Sequence, residues 1–128
     1  MPPDPPSTLD LSGLLRHERQ ALAHIAAGRP LRRVLEELSF AVESTSVGML
    51  ASVLLLEPDG LHLTHGAAPS LPAEYNAAVE HLPVGPFAGS CGAAAHTREA
   101  VYVADIATDP RWENYRHIAL PFNRRCAT

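Results

Sequence analysis

The chain has 128 residues, 46% of them hydrophobic and 19% charged, with a formal net charge of −4. That length points to one domain, and that balance to an ordinary globular chain rather than a fibrous or low-complexity one. The acidic balance, with no basic stripe interleaved with aromatics, argues against nucleic acid and anionic membrane surfaces as partners.

In chain order, residues 1–6 hold four prolines and are expected to form an extended, disordered lead-in. Ser7, with Asp10 three residues later, resembles a capping box that opens a helix over residues 7–28. Leu11, Leu14, Leu15, Leu22 and Ile25 recur at helical spacing and give that helix one apolar stripe. Gly28 and Pro30 stop it. A second helix follows, with Leu31, Val34, Leu35, Leu38, Ala41 and Val42 on one face, fading at Ser44-Thr45-Ser46.

Residues 49–56 are apolar but short and read as a buried strand. Pro58-Asp59-Gly60 signals a turn. The alternating Leu61-His62-Leu63-Thr64-His65 pairs back as a hairpin. Residues 72–79 read as a short helix, and Leu82-Pro83-Val84 as a brief extended piece. Ser90 is placed to cap a helix running to about His96. Residues 101–103 read as a strand. Asp109 caps a helix begun by Pro110 that carries Trp112, Tyr115 and Ile118. Cys126-Ala127-Thr128 reads as the start of a further strand. Helices around a meander of strands make an α+β fold.

No apolar run approaches the length that spans a bilayer, and the N-terminus lacks the charged and apolar regions of a signal peptide. Cys91 and Cys126 offer neither a disulfide framework nor a Cys-x-x-Cys metal pair, so a cytoplasmic location is the default.

Three runs carry a family resemblance. They are the hairpin Ser52-Val53-Leu54-Leu55-Leu56-Glu57-Pro58-Asp59-Gly60, the glycine-punctuated Gly89-Ser90-Cys91-Gly92-Ala93-Ala94, and Asp105-Ile106-Ala107-Thr108-Asp109-Pro110-Arg111-Trp112 with Tyr115 after it. In this order they resemble the GAF family of bacterial sensory domains, over residues 31–128. The resemblance implies an antiparallel sheet with the N-terminal helices on one face and a ligand pocket on the other. It implies a non-catalytic module that binds a small cytoplasmic molecule, of the kind joined to histidine kinases or to cyclic-di-GMP enzymes. Family members continue with two central strands and a closing helix. This chain is therefore expected to be a fragment or a truncated product, poorly stable alone. The implied mechanism is a population shift, in which ligand closes residues 83–122 and re-angles the terminal helices.

Ser90, Cys91, Gly92, Asp105, Thr108, Trp112 and Tyr115 are the candidate ligand-binding residues. Cys91 near a helix N-terminus has the setting of a stabilised thiolate, yet cysteine beside Gly92 and Ala93 also suits plain packing. Trp112 and Tyr115, three apart, face either a ligand or the core. The glycines at 85, 89 and 92 fit tight turns, and their spacing is neither a Rossmann nor a P-loop pattern.

One enzymatic branch of the family, the free methionine-(R)-sulfoxide reductases, has an active cysteine in a similar run. It also needs resolving cysteines. Here Glu80 or His81 stands about ten residues before Cys91, and Cys126 lies in an unlike run. The alternatives to a sensory module are thus this reductase or a purely structural dimerisation domain. Seven histidines yield no metal spacing: His62 and His65 face opposite sides of a strand, and His17 and His24 lie two turns apart without a third partner. His17-Glu18-Arg19 lacks the remainder of a phospho-acceptor box. No position matches a haem or bilin attachment site, and no cofactor is assigned. The leucine stripe of the first helix allows a homodimer, or folding back onto the chain's own sheet.

Overall fold

The computed structural model describes residues 11–121. The proposed Ser7 cap, the proline lead-in and Cys126 lie outside the described residues. No helix among them is long and apolar enough to cross a membrane. Among the described residues the fold is α+β, with five α-helices, one 3-10 turn and a three-stranded antiparallel sheet. The chain forms two compact units. One holds the described residues up to Val53 together with Gly66–Leu71, and the other holds Leu54–His65 and the described residues from Pro72 onward.

The first unit is built on helices α1 (Leu11–Ala26) and α2 (Leu31–Glu43). Gly28 adopts φ +68°, and the Gly28 and Arg29 amides donate back to the Ile25 and His24 carbonyls at 3.1 and 2.9 Å. This left-handed closure satisfies the last carbonyls of α1 and suits a residue without a Cβ. Pro30 precedes α2 as its N-cap. Beyond α2, the Glu43 carboxylate accepts from the Ala51 amide at 3.0 Å and the Ser70 hydroxyl at 2.6 Å, tying both segments to the helix end.

Four of the five residues in the leucine stripe of α1 are exposed, and Leu14 is half-buried. Leu11, Leu15, Leu22 and Ile25 are each more than half exposed, at 57%, 53%, 59% and 58%. The buried residues of α1 are instead Gly13 and Ala21. Small residues let helices approach closely, and larger ones would hold them apart. Half-buried His17 and His24 complete that inner face. His17 Nδ1 lies 3.0 Å and His24 Nε2 3.7 Å from the two carboxylate oxygens of Glu37. On α2 the expected face is divided. Val34 and Ala41 are buried, whereas Leu31, Leu38 and Val42 remain exposed.

The hairpin β1 (Val53–Leu56) and β2 (His62–Ala67) turns at Pro58-Asp59-Gly60 as expected. The Gly60 amide donates to the Glu57 carbonyl at 2.9 Å, and the Glu57 amide donates to the His62 carbonyl at 2.8 Å. Strand β3 (Leu82–Pro83) joins the other side of β2 antiparallel, with Leu63 opposite Leu82. Proline suits this place, because it is an edge strand and can spare a donor.

Helices α3 (Ala73–Ala78) and α4 (Gly89–Thr97) fall where the small-residue runs predict them. Several expectations need correction, beginning with the buried strand read over residues 49–56: β1 covers only Val53–Leu56, none of its residues is fully buried, and Met49 and Leu50 are exposed. Residues 101–103 form only an isolated bridge at Tyr102, not a ladder strand. The alternation survives nonetheless: Val101 and Val103 are buried and Tyr102 points outward. Six residues separate the left-handed Arg98 from the turn at Asp105, which leaves little room for a ladder strand and its connections. The helix expected from Pro110 splits into a 3-10 turn (Pro110–Trp112) and a short α5 (Arg116–Ala119). The Trp112, Glu113 and Tyr115 amides all reach back three residues, to the Asp109, Pro110 and Trp112 carbonyls. That tighter winding brings Trp112 inward, where it packs with Ala93, Val101, Val103, Ile106 and Ala119.

Candidate functional site

The seven candidate residues all lie in the second unit, on α4, on the turn after residue 103, on the 3-10 turn and, for Tyr115, at the N-cap of α5. Ser90 does not cap α4, whose N-cap is Ala88. It is 1% exposed, and its hydroxyl accepts a hydrogen bond from the Trp112 indole N–H at 2.9 Å. A buried indole N–H needs an acceptor, and Ser90 supplies it while the rest of the ring fills the core. Gly89 lies against the same ring, and an added Cβ there would be 3.5 Å from Trp112. Ser90 and Trp112 are therefore one buried unit joining α4 to the 3-10 turn.

Gly92 faces the opposite way. A Cβ there would meet the Ala88 Cβ at 2.4 Å and the Pro83 carbonyl oxygen at 2.8 Å. The glycine lets α4 sit against the backbone of β3, and its own carbonyl accepts from the Gly85 amide at 3.2 Å. Cys91, between Ser90 and Gly92, is half-buried.

Asp105 and Thr108 are exposed and occupied with their own turn. The Asp105 carboxylate accepts from the Ala107 amide at 3.0 Å, and its carbonyl accepts from the Thr108 and Asp109 amides. Asp109 caps the 3-10 turn as expected, with its carboxylate accepting from the Arg111 amide at 2.9 Å. Tyr115 is half-buried and packs on the Trp112 cluster. The structure thus joins Ser90, Trp112 and Tyr115, and sets Asp105 and Thr108 on an exposed turn.

Sequence reasoning missed Arg116. Its guanidinium donates to the Ile106 carbonyl at 3.1 Å and the Asp109 carbonyl at 3.2 Å, holding the whole 105–109 turn against α5. Nothing local marks an arginine that serves carbonyls seven and ten residues earlier.

A second group, also missed, gathers at the hairpin. Glu57, Asp59 and His62 bring their ligand atoms within 4.8 Å of one another, and so do Glu57, Glu80 and His81. His62 Nδ1 lies 2.8 Å from Asp59, and His81 Nδ1 lies 2.5 Å from Glu57. Glu80, at the end of the α3 segment, accepts from the Thr64 hydroxyl and from the His65 amide. Backbone donation from Leu61, followed by the His62 ring, holds the Asp59 carboxyl below its ordinary range. The Thr64 hydroxyl does the same for Glu80. The spacing of His62 to His65 gave no sign of this: His62 pairs with Asp59 in its own hairpin, and Glu80 and His81 come from the segment after α3.

No family model matches the chain, and no solved structure matches it. One relative is the methyl sulfide methyltransferase-associated sensor of Methanosarcina acetivorans, 36% identical over 106 residues. The aligned part is 83% of this chain but 11% of the relative, so the chain spans about a tenth of the protein it matches.

Proposed function

We propose that the chain is a GAF-type sensory module that binds a small molecule without transforming it, within a signal-transduction protein. The observation that carries this reading is the similarity to a protein named as a sensor over 83% of the chain. The resemblance to GAF domains at the hairpin, at α4 and at the 105–112 run points the same way.

Ser90, Cys91, Gly92, Asp105, Thr108, Trp112 and Tyr115 belong to the ligand-responsive wall in this reading. Ser90 and Trp112 are buried, so they stiffen that wall. The exposed turn with Asp105 and Thr108 supplies its polar surface. Ligand acts by a population shift of the 105–109 turn, whose rest state is set by Arg116. The experiment is a thermal-shift screen of the chain against a panel of cytosolic metabolites that includes free methionine-(R)-sulfoxide. A saturable rise in Tm with one compound class, without turnover, is expected. Turnover of the sulfoxide above a Cys91→Ser control would replace this reading with the reductase.

The module also forms a homodimer through α1 in this reading. Four large apolar side chains of that helix are more than half exposed along one stripe, as an interhelical seam requires. Sedimentation of the chain should give a dimer, and a Leu15→Glu, Leu22→Glu double variant a folded monomer. An unchanged dimer in the double variant would move the interface elsewhere.

A further inference from the structure

The hairpin group places three carboxylates and two imidazoles together from three parts of the chain. Glu57 follows β1, Asp59 and His62 belong to the turn and the start of β2, and Glu80 and His81 follow α3. The chain has no lysine, and no arginine among the described residues pairs with any of these carboxylates. Among the described residues the only basic partners they have are the imidazoles of His62 and His81. Oxygen atoms of Glu57 and Glu80 nevertheless stay within 4.8 Å. Two carboxylates that close repel each other unless something between them carries positive charge.

We propose that Glu57, Glu80 and His81 bind one divalent first-row metal ion of the zinc class, with Asp59 and His62 as a flanking pair on the shared Glu57. The donor chemistry selects the metal. An imidazole nitrogen with carboxylate oxygens suits zinc, nickel or cobalt, whereas calcium and magnesium prefer oxygen alone. Tetrahedral zinc sites have metal–ligand distances near 2.0–2.2 Å, so their ligand atoms lie roughly 3.3 Å apart. The three ligand atoms here already lie within 4.8 Å of one another, and His81 Nδ1, 2.5 Å from Glu57, must open from that contact to admit an ion between them. His81 is exposed enough to make that movement, with 72% of its side chain accessible, while Glu57 at 18% is the fixed anchor. Water fills the remaining coordination position. A bound ion would staple the hairpin to the segment after α3.

The test uses the untagged chain, stripped with EDTA and titrated with zinc chloride by calorimetry. One equivalent should bind, and cobalt(II) should give visible d–d absorption bands, while calcium gives no heat. Glu57→Gln and His81→Ala should each weaken zinc by about tenfold or more. His96→Ala, on the exposed end of α4, should leave it unchanged. Far-UV circular dichroism verifies that each variant is folded. An absence of zinc uptake by the unmodified chain would overturn the proposal. Affinities within twofold in both Glu57→Gln and His81→Ala would also overturn it, as would loss of uptake in His62→Ala alone with His81→Ala silent.

Discussion

Replacement of Trp112 by alanine should cost about 3–5 kcal/mol, the range for removing a large aromatic from a packed core. Trp112 is 6% exposed and touches the cluster of Ala93, Val101, Val103, Ile106 and Ala119. Its loss opens a cavity among residues that are mostly small and cannot swing in to fill it. It also leaves the Ser90 hydroxyl buried without its indole partner, and an unsatisfied buried polar group adds about 1–3 kcal/mol of its own. Small domains hold a total of about 5–15 kcal/mol, so the variant should be largely unfolded in mild denaturant. Trp112→Phe separates the two contributions: it keeps most of the ring and loses the hydrogen bond. Its midpoint in urea should fall between those of the native chain and Trp112→Ala. Cys91→Ala, one residue from Ser90, should cost about 1 kcal/mol or less. A Trp112→Ala chain no less stable than Cys91→Ala would show that this cluster is not the core of its unit.

The second large effect is expected at Gly92. In Gly92→Ala the new methyl would lie 2.4 Å from the Ala88 Cβ and 2.8 Å from the Pro83 carbonyl oxygen. The oxygen is backbone in β3 and cannot rotate away, so α4 must move off the strand. Overpacking of this kind costs about 1–3 kcal/mol. Combining Gly92→Ala with Ala88→Gly removes the nearer clash and leaves the carbonyl one. The double variant should recover part of the loss, a non-additivity that neighbouring residues produce and distant ones do not. Urea midpoints of the three variants measure it. Full additivity would mean that the two positions do not touch.

Local chemistry made most elements legible. Gly28 and Pro30 stop α1 because one can enter the left-handed region and the other cannot donate. Asp59 and Gly60 close the hairpin, and Asp109 with Pro110 starts the 3-10 turn, through contacts within four residues. What was not legible depends on partners distant in sequence. The leucines of α1 look like its core face until α2 is present. Then Gly13 and Ala21 permit the closer approach, with Glu37 set against His17 and His24.

The candidate site shows the same division. The run from Gly89 to Gly92 was recognisable as a tight, glycine-dependent segment. That Ser90 accepts from an indole twenty-two residues later was not. Trp112 and Tyr115 gave a choice between ligand and core, and both pack on one cluster. Arg116 and the Glu57 group were invisible, because their geometry is made by folding and not by spacing.

Amide NMR decides whether the chain binds a small molecule through α4 and the 105–109 turn without consuming it, as proposed. The 15N-labelled chain would be titrated with the compound class that raises its Tm in the metabolite screen. Saturable shifts are expected at Cys91, Gly92, Asp105 and Thr108, smaller ones at the buried Ser90 and Trp112, and an unaltered ligand spectrum after prolonged incubation. Shifts confined to residues outside these segments, or conversion of the ligand to a new species, would contradict it.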